Sequence, residues 1–264
     1  MPKVSVIMST LNGSSTLRSS ISSIINQSFQ DWELIICNDG SKDQSEEIIK
    51  SYCKHDRRIK LLNHRRNEGL SKSLNDCIKL SIGKYIARMD DDDFSKPNRL
   101  AAQVEFLDKN TNVDWVGTNI SIYDGKRVYG KREMLATPNK FDVWLGHSFV
   151  HPSIMIKSDV LKKIDGYNIS SEVTRIEDYD LWCKLYSLGY VGNNLQQELL
   201  IYREDDGSFE KRDIKRRIRL FKCMKYWRKR LQISFIYFFC EYILLLKCFI
   251  PNSLIKMIHQ HMYS

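Results

Sequence analysis

The sequence predicts an α/β protein with a mostly parallel, Rossmann-like sheet and a mixed second half. Short β-branched runs alternate with helical periodicities as far as about residue 113, the order of repeated strand–helix units. From Asp114 the pattern changes to longer β-rich segments, so a mixed part packs on the first. Polar residues gather directly behind three of the apolar runs, at the edge where open α/β sheets bind ligands.

The first run, VSVIM, is too short for the apolar segment of a secretory signal, and Asn12-Gly13 breaks the pattern soon after it, so it reads as a buried strand. A helix through Leu17, Ile21, Ile24 and Ile25 comes next, then the strand ELIIC and a helix through Ile48, Ile49 and Tyr52. IKLLN, a helix from Leu70 to Leu80 and the strand YIARM continue the series. The following helix is entered through Pro97 and carries Leu100, Val104 and Leu107 on one side. The second half offers WVGTNISIY and KRVYGKREML, then SIMI and a helix from Glu177 to about Leu188. No Pro/Gly/Ser-rich linker, internal repeat or low-complexity tract divides the chain.

With 42% hydrophobic and 28% charged residues among 264, the composition is that of a folded chain. Seven scattered cysteines contain no C-x-x-C pair, which fits reduced thiols in a cytosolic setting better than a zinc site or disulfide framework. The formal charge is +9, and much of the excess lies between Lys211 and Arg230, immediately before the apolar stretch Leu231 to Ile250.

Behind YIARM stand four consecutive aspartates, Asp90 to Asp93. Hard oxygen donors suit Mg²⁺ or Mn²⁺, which use one or two carboxylates while the phosphates of a ligand complete the coordination. Asp39 and Gly40 behind ELIIC, and Thr10 and Asn12 behind VSVIM, lie at the same rim. Each has an ordinary reading: Asn-Gly and Asp-Gly are turn dipeptides, and Ser95 or Asp93 can cap the next helix. Together they have the character of a nucleotide pocket.

The segments VSVIMSTLNG, LIICNDGSKDQS, NEGLSKSLNDCI, GKYIARMDDDDFSKPNRLAAQVEFL and EDYDLWCKL resemble, in order and spacing, the successive motifs of family 2 glycosyltransferases, over about Val4 to Arg203. The resemblance implies an inverting enzyme of GT-A fold. It makes residues 1–210 the catalytic domain, with a nucleotide-sugar-binding half to about 113 and an acceptor-binding half over 114–210. It implies donor contacts for Thr10, Asn12, Asp39, Asp90 and Asp91, with Asp39 at the base. The metal falls to Asp92 with Asp90, and Asp91 stands where the family often has a small residue. Asp178 matches the catalytic base, and His151, Glu177 and Arg203 fall on the acceptor side. Ser9 and Leu11 replace a frequent proline and tyrosine, and acids follow Arg203 where the family has a histidine.

In EDYDLWCKLYSL, the residues Leu181, Trp182, Leu185 and Leu188 form one stripe, and Asp178 shares their face, so its carboxylate is expected to point inward. Glu177 and Asp178 also suit the positive end of a helix, and Asp180 is expected to be solvated. In the tail, residues 211–264, Ile214, Ile218, Phe221, Met224 and Leu231 fall at helical spacing among lysines and arginines, as suits an anionic membrane surface. Gln232, Ser234, Glu241 and Lys247 interrupt the apolar stretch and favour interfacial insertion over a spanning helix. The alternative is a helical hairpin that covers the catalytic domain or forms a homodimer.

These expectations combine into a transferase that moves a sugar from a nucleoside diphosphate sugar, a UDP-sugar by preference, to a glycan acceptor. By resemblance that acceptor is a bacterial surface glycan on a lipid carrier, met at the cytoplasmic face of the cell membrane. A catalytically silent nucleotide-sugar-binding or scaffold protein is the alternative. Nucleic acid is not expected, because the basic segment adjoins an apolar stretch and no recognition motif is present. The first strand-to-helix turn lacks G-x-G-x-x-G, which argues against a dehydrogenase.

Overall fold

The computed structural model describes residues 1–204 and 214–246. Strands β1 (Val4–Thr10), β2 (Trp32–Asn38), β3 (Ile59–Asn63) and β4 (Tyr85–Arg88) run parallel in the order β3-β2-β1-β4. Helices α1 (Leu17–Ile25), α2 (Ser45–His55) and α3 (Leu70–Leu80) join them. Along β1, Val4, Val6 and Met8 enter one apolar cluster with α1 and α2, while Ile7 enters another with α3. Burial on both faces is why β1, β2 and β4 are mostly apolar rather than alternating, with Ser5, Glu33 and Arg88 among the buried polar exceptions.

The chain continues through β5 (Phe94–Ser95), α4 (Arg99–Lys109), β6 (Trp115–Tyr123), β7 (Val128–Arg132), α5 (Lys140–Trp144), β8 (Met155–Lys157), α6 (Ser158–Lys163), α7 (Glu177–Ser187) and β9 (Gly192–Arg203). One sheet of order β3-β2-β1-β4-β8-β6-β9-β5 results, with β7 beside β6. Because β8 is antiparallel to both β4 and β6, the sheet is mixed beyond β4. The start of β6 pairs with β8 and its end with β7, while β9 runs parallel along its other edge. KRVYGKREML shortens to Val128–Arg132.

Five residues after leaving β4, in mid-sheet, the chain pairs as β5 with the far end of β9. Helix α1 holds this crossing: Ser95 N–H donates to Ser23 Oγ at 3.1 Å, and Gln27 Nε2 donates to the Lys96 carbonyl at 2.9 Å. Asn98, without a side-chain bond, occupies the N-cap of α4, so neither Ser95 nor Asp93 caps it.

The tail forms α8 (Ile214–Arg230), a 3₁₀ turn (Phe235–Tyr237) and α9 (Phe238–Leu246). Cys223, Met224 and Trp227 of α8, with Leu231, enter the same core cluster as Trp144 of α5 and Tyr179 of α7. Trp227 Nε1 donates to Asp180 Oδ1 at 2.8 Å, and Trp144 Nε1 donates to the Met224 carbonyl at 3.0 Å. Asp180, expected to be solvated, is therefore only 6% exposed, whereas Leu188, expected in the inward stripe, is 58% exposed. Arg228 Nε donates to the buried Glu241 at 2.6 Å and ties α9 back to α8. The covering hairpin is thus seen for α8, while Ile214 and Ile218 of the expected apolar stripe stay exposed. The stretch from Leu231 turns at Gln232 (φ 59°), and among the described residues no helix is long and apolar enough to cross a membrane. Lys211, Lys247 and the last part of the apolar stretch lie outside the described residues.

Candidate active site

The residues behind β1, β2 and β4 line two adjoining cavities. One, of about 600 Å³, is bordered by Ser9, Leu11, Asp39, Gly69 and Lys72, and the other, of about 450 Å³, by Asp92, His151, Asp178 and Arg203. Asp90, Asp91, Arg175 and Glu177 border both, so the two make one cleft.

At the first end, Asp39 accepts the N–H groups of Glu68 and Gly69, both at 2.9 Å, and its Oδ1 lies 2.8 Å from His64 Nδ1. Burial disfavours its charge, but the Glu68, His64 and Gly69 hydrogen bonds outweigh that and lower its pKa. The same loop passes over Gly40 (φ 76°), where a Cβ would lie 2.6 Å from the Arg66 backbone; only glycine accepts both constraints.

The four aspartates divide between distinct partners. Buried Arg88, in β4, places one guanidinium nitrogen on each oxygen of Asp90, with Nη1 at 2.6 Å from Oδ2. Asp91 turns to β1, where its Oδ2 accepts from Thr10 Oγ1 and rests against Gly13; a Cβ there would come within 2.1 Å of that oxygen. Burial and the charge of Asp90 raise the Asp91 pKa to about 6. Asp93 is wholly buried, accepts Arg203 N–H at 2.8 Å through Oδ1, and leaves Oδ2 without a hydrogen-bond partner. Burial, then the charges of Asp90 and Asp92, push its pKa well up.

Asp90, Asp92 and Asp93 can each bring one oxygen within 4.8 Å of the others. An all-oxygen set with an orphaned buried oxygen fits a hard divalent cation such as Mg²⁺ or Mn²⁺, and it adds Asp93 to the two ligands expected from sequence.

On the facing wall α7 begins with Glu177 and Asp178, both half-buried. Burial and the neighbouring Asp178 charge push Glu177 up to about 7. His151 Nε2 lies 2.7 Å from the Tyr167 hydroxyl, and burial together with Arg88 holds this imidazole neutral. Just before α7, Arg175 takes φ 67°, uncommon for a residue with a Cβ. Its carbonyl accepts from Arg216 Nε of α8 at 2.9 Å, which brings the tail to the cleft.

Two expected donor residues, Asn12 and Thr10, are not among those that line the cleft. Asn12 accepts Lys42 N–H at 2.8 Å and thereby fastens the loop after β2, while Thr10 is buried beneath Asp91. The sequence patterns do not single out Arg88, His64 or Arg175. Arg88 carried a signal: it is a cation inside an apolar strand, two residues before Asp90, and residues two apart share a side of extended chain.

Residues 5–165 match the family model described as Glycosyl transferase family 2. The chain is 41% identical over 212 residues to the Bacillus subtilis protein described as putative glycosyltransferase EpsE, covering 80% of this chain and 76% of that one. It is 34% identical over 215 residues to the Escherichia coli O-antigen biosynthesis glycosyltransferase WbnJ, covering 79% and 82%. The structure of S. aureus TarS 1-349 in complex with UDP-GlcNAc superposes with a TM-score of 0.71 at 18% identity, over 93% of this chain and 71% of that chain. A Pyrobaculum calidifontis mannosyltransferase in complex with GDP-Man and Mn²⁺ gives 0.67 at 16% identity, over 99% and 80%. The structural likeness identifies the GT-A fold, and the sequence matches identify a transferase of the EC 2.4 class. By its family match and its relatives, the chain belongs to glycosyl transferase family 2.

Proposed function

We infer that this protein transfers a sugar from a UDP-sugar to a saccharide acceptor by direct, inverting displacement, with Asp178 as the general base. The observation that carries this reading is the continuity of the cleft, from Asp39 through the aspartate run to Asp178. The donor's base lies toward Asp39, its diphosphate near Asp90 and Asp92, and the acceptor against Asp178, His151 and Glu177. Asp178 takes the proton of the acceptor hydroxyl as that oxygen attacks the anomeric carbon. Glu177, which holds a proton for much of the time near neutrality, limits repulsion beside that base. Arg175 and Arg203 border the cleft where the diphosphate departs, and Arg88 fixes Asp90. Asp90, Asp92 and Asp93 would hold Mg²⁺ or Mn²⁺, which when bound offsets charge on the leaving diphosphate.

UDP bound to a structural neighbour supports the uridine donor, and the O-antigen relative supports a glycan acceptor. Basic α8 and the exposed Phe235, Ile236 and Phe239 support peripheral association with an anionic membrane face. The test is single-turnover transfer with a panel of UDP- and GDP-sugars, reading the anomer formed by NMR. Asp178→Asn should lower transfer at least about a hundredfold with donor affinity unchanged. A variant that transfers at the normal rate, or a product of retained configuration, overturns this mechanism.

A further inference from the structure

His64 stands one residue beyond β3, outside the cleft lining and between two carboxylates. Its backbone N–H donates to the Asn38 carbonyl at 2.9 Å, which seats it against the end of β2. Nδ1 lies 2.8 Å from Asp39 Oδ1, and Nε2 lies 3.2 Å from Asp76 Oδ2 of α3. Asp76 also accepts from Lys72 Nζ and, at 2.9 Å, from Lys79 Nζ, while Lys72 faces Glu68 at 3.9 Å. Asp39 and Lys72 both border the first cavity, so the line Asp39–His64–Asp76–Lys72 leaves the cleft at one wall and returns to it at another. Cys37 Sγ of β2 lies beside the ring, 3.6 Å from Nε2, and the Cys77 thiol of α3 lowers its pKa against the effect of burial.

Only an imidazolium can donate to both carboxylates; a neutral ring has one N–H, so on one side a lone pair would meet an anionic oxygen. Burial works against the charge on His64, but the Asp39 hydrogen bond, the charges of Cys37 and Asp39 and the Asp76 bond outweigh it and hold its pKa above the ordinary 6.5. Asp39 and Asp76 both lie below the ordinary carboxylate value, so neither competes for this proton near neutrality. We propose that His64 is a positioning residue for the donor: bonded to two carboxylates as an imidazolium, it fixes Asp39 in the setting that receives the nucleotide base and ties it to Lys72 of the same cavity. The assignment rests on the reading of Asp39 as the contact to the base. It makes a histidine outside the cleft lining the group that sets how donor affinity varies with pH: once the proton leaves, the line breaks at one bond and Asp39 loses its fixed setting.

The test has two readouts on the full chain. Nitrogen NMR of His64 without nucleotide should show both ring nitrogens chiefly protonated at pH 6.5. Calorimetric titration with UDP and Mg²⁺ from pH 6 to 9 should show affinity falling at least about threefold across the His64 midpoint. The amide of His64→Asn can stand in for Nδ1 but carries no charge, so this variant should bind UDP at least about fivefold more weakly at pH 6.5, with the gap narrowing through that midpoint. Titration of UDP, Asp91 and Glu177 is common to both proteins and cancels in the comparison. Asp76→Asn should move the midpoint down by at least about half a pH unit in both readouts, and Cys37→Ala should leave the dependence in place. A singly protonated His64 at pH 6.5, wild-type UDP affinity in His64→Asn at that pH, or an unmoved midpoint in Asp76→Asn overturns the proposal. Loss of the dependence in Cys37→Ala overturns it too, by assigning the proton to the thiol. A wild type that binds no UDP at any pH counts instead against the donor site itself, because the NMR readout requires no nucleotide.

Discussion

Glu177 couples stability to pH through one half-buried carboxyl whose pKa lies near 7 in the folded chain and near the ordinary 4.5 when unfolded. The folded state then holds the proton more tightly, so stability is full below about pH 4.5 and falls as pH rises through 7. Glu177→Gln never acquires the charge. It should be more stable than wild type at pH 8 by about 1–3 kcal/mol, with the gap closing toward pH 4.5 in urea titrations. A gap that is independent of pH would place the effect in packing. Gly13 is governed by space instead: Gly13→Ala drives a methyl into the Asp91 carboxyl and should cost about 1–3 kcal/mol. Adding Asp91→Ala should restore part of it, since the Thr10 hydroxyl lies 2.5 Å from the same Cβ, and a double variant no better than the single one rejects the Asp91 contact. The positions of Asp39, Asp92 and Asp178 along the cleft were legible because each follows a strand or opens a helix with strong periodicity. The burial of Asp180 was not, since its partner Trp227 lies 47 residues away on an element that composition marks as basic surface.

At the scale of elements, the parallel half was readable because strands covered on both faces are apolar at most positions. Strand β9 was not, because its middle exposes Gln196 and Gln197 and its register against β6 slips near Thr118 and Asn119, which erases any simple period. The short β5, α5 and α6 are set by tertiary pairing and by a capping box at Asn139 and Asp142, signals too local to compete with the longer runs. The joint between α7 and α8 is open to a direct measurement. Trp227→Phe keeps a ring but leaves the buried Asp180 without its indole donor, which should cost about 1–3 kcal/mol. In a double-mutant cycle with Asp180→Asn, a coupling below about 0.5 kcal/mol would show that the helices are joined by packing alone.

For the whole molecule, the tail is core as well as surface. A chain ending at residue 213 loses Met224, Trp227 and Leu231, whose burial is worth roughly 5–9 kcal/mol together. That is comparable with the entire stability of a domain, about 5–15 kcal/mol. Such a chain should aggregate, whereas one ending at residue 234 should fold and bind UDP, as solubility and calorimetry will show. A folded, UDP-binding chain ending at 213 would overturn this view of α8. The backing of Asp93 by the Arg203 amide, 110 residues further on, carries a different consequence. At about 5–20 residues per second, the aspartate loop emerges from synthesis on the order of ten seconds before the strand that completes it. Throughout that interval Asp93 lacks its amide donor beside the neighbouring charges of Asp90 and Asp92. On the proposed reading of this loop as the donor site, a growing chain completes that site only once β9 has been made.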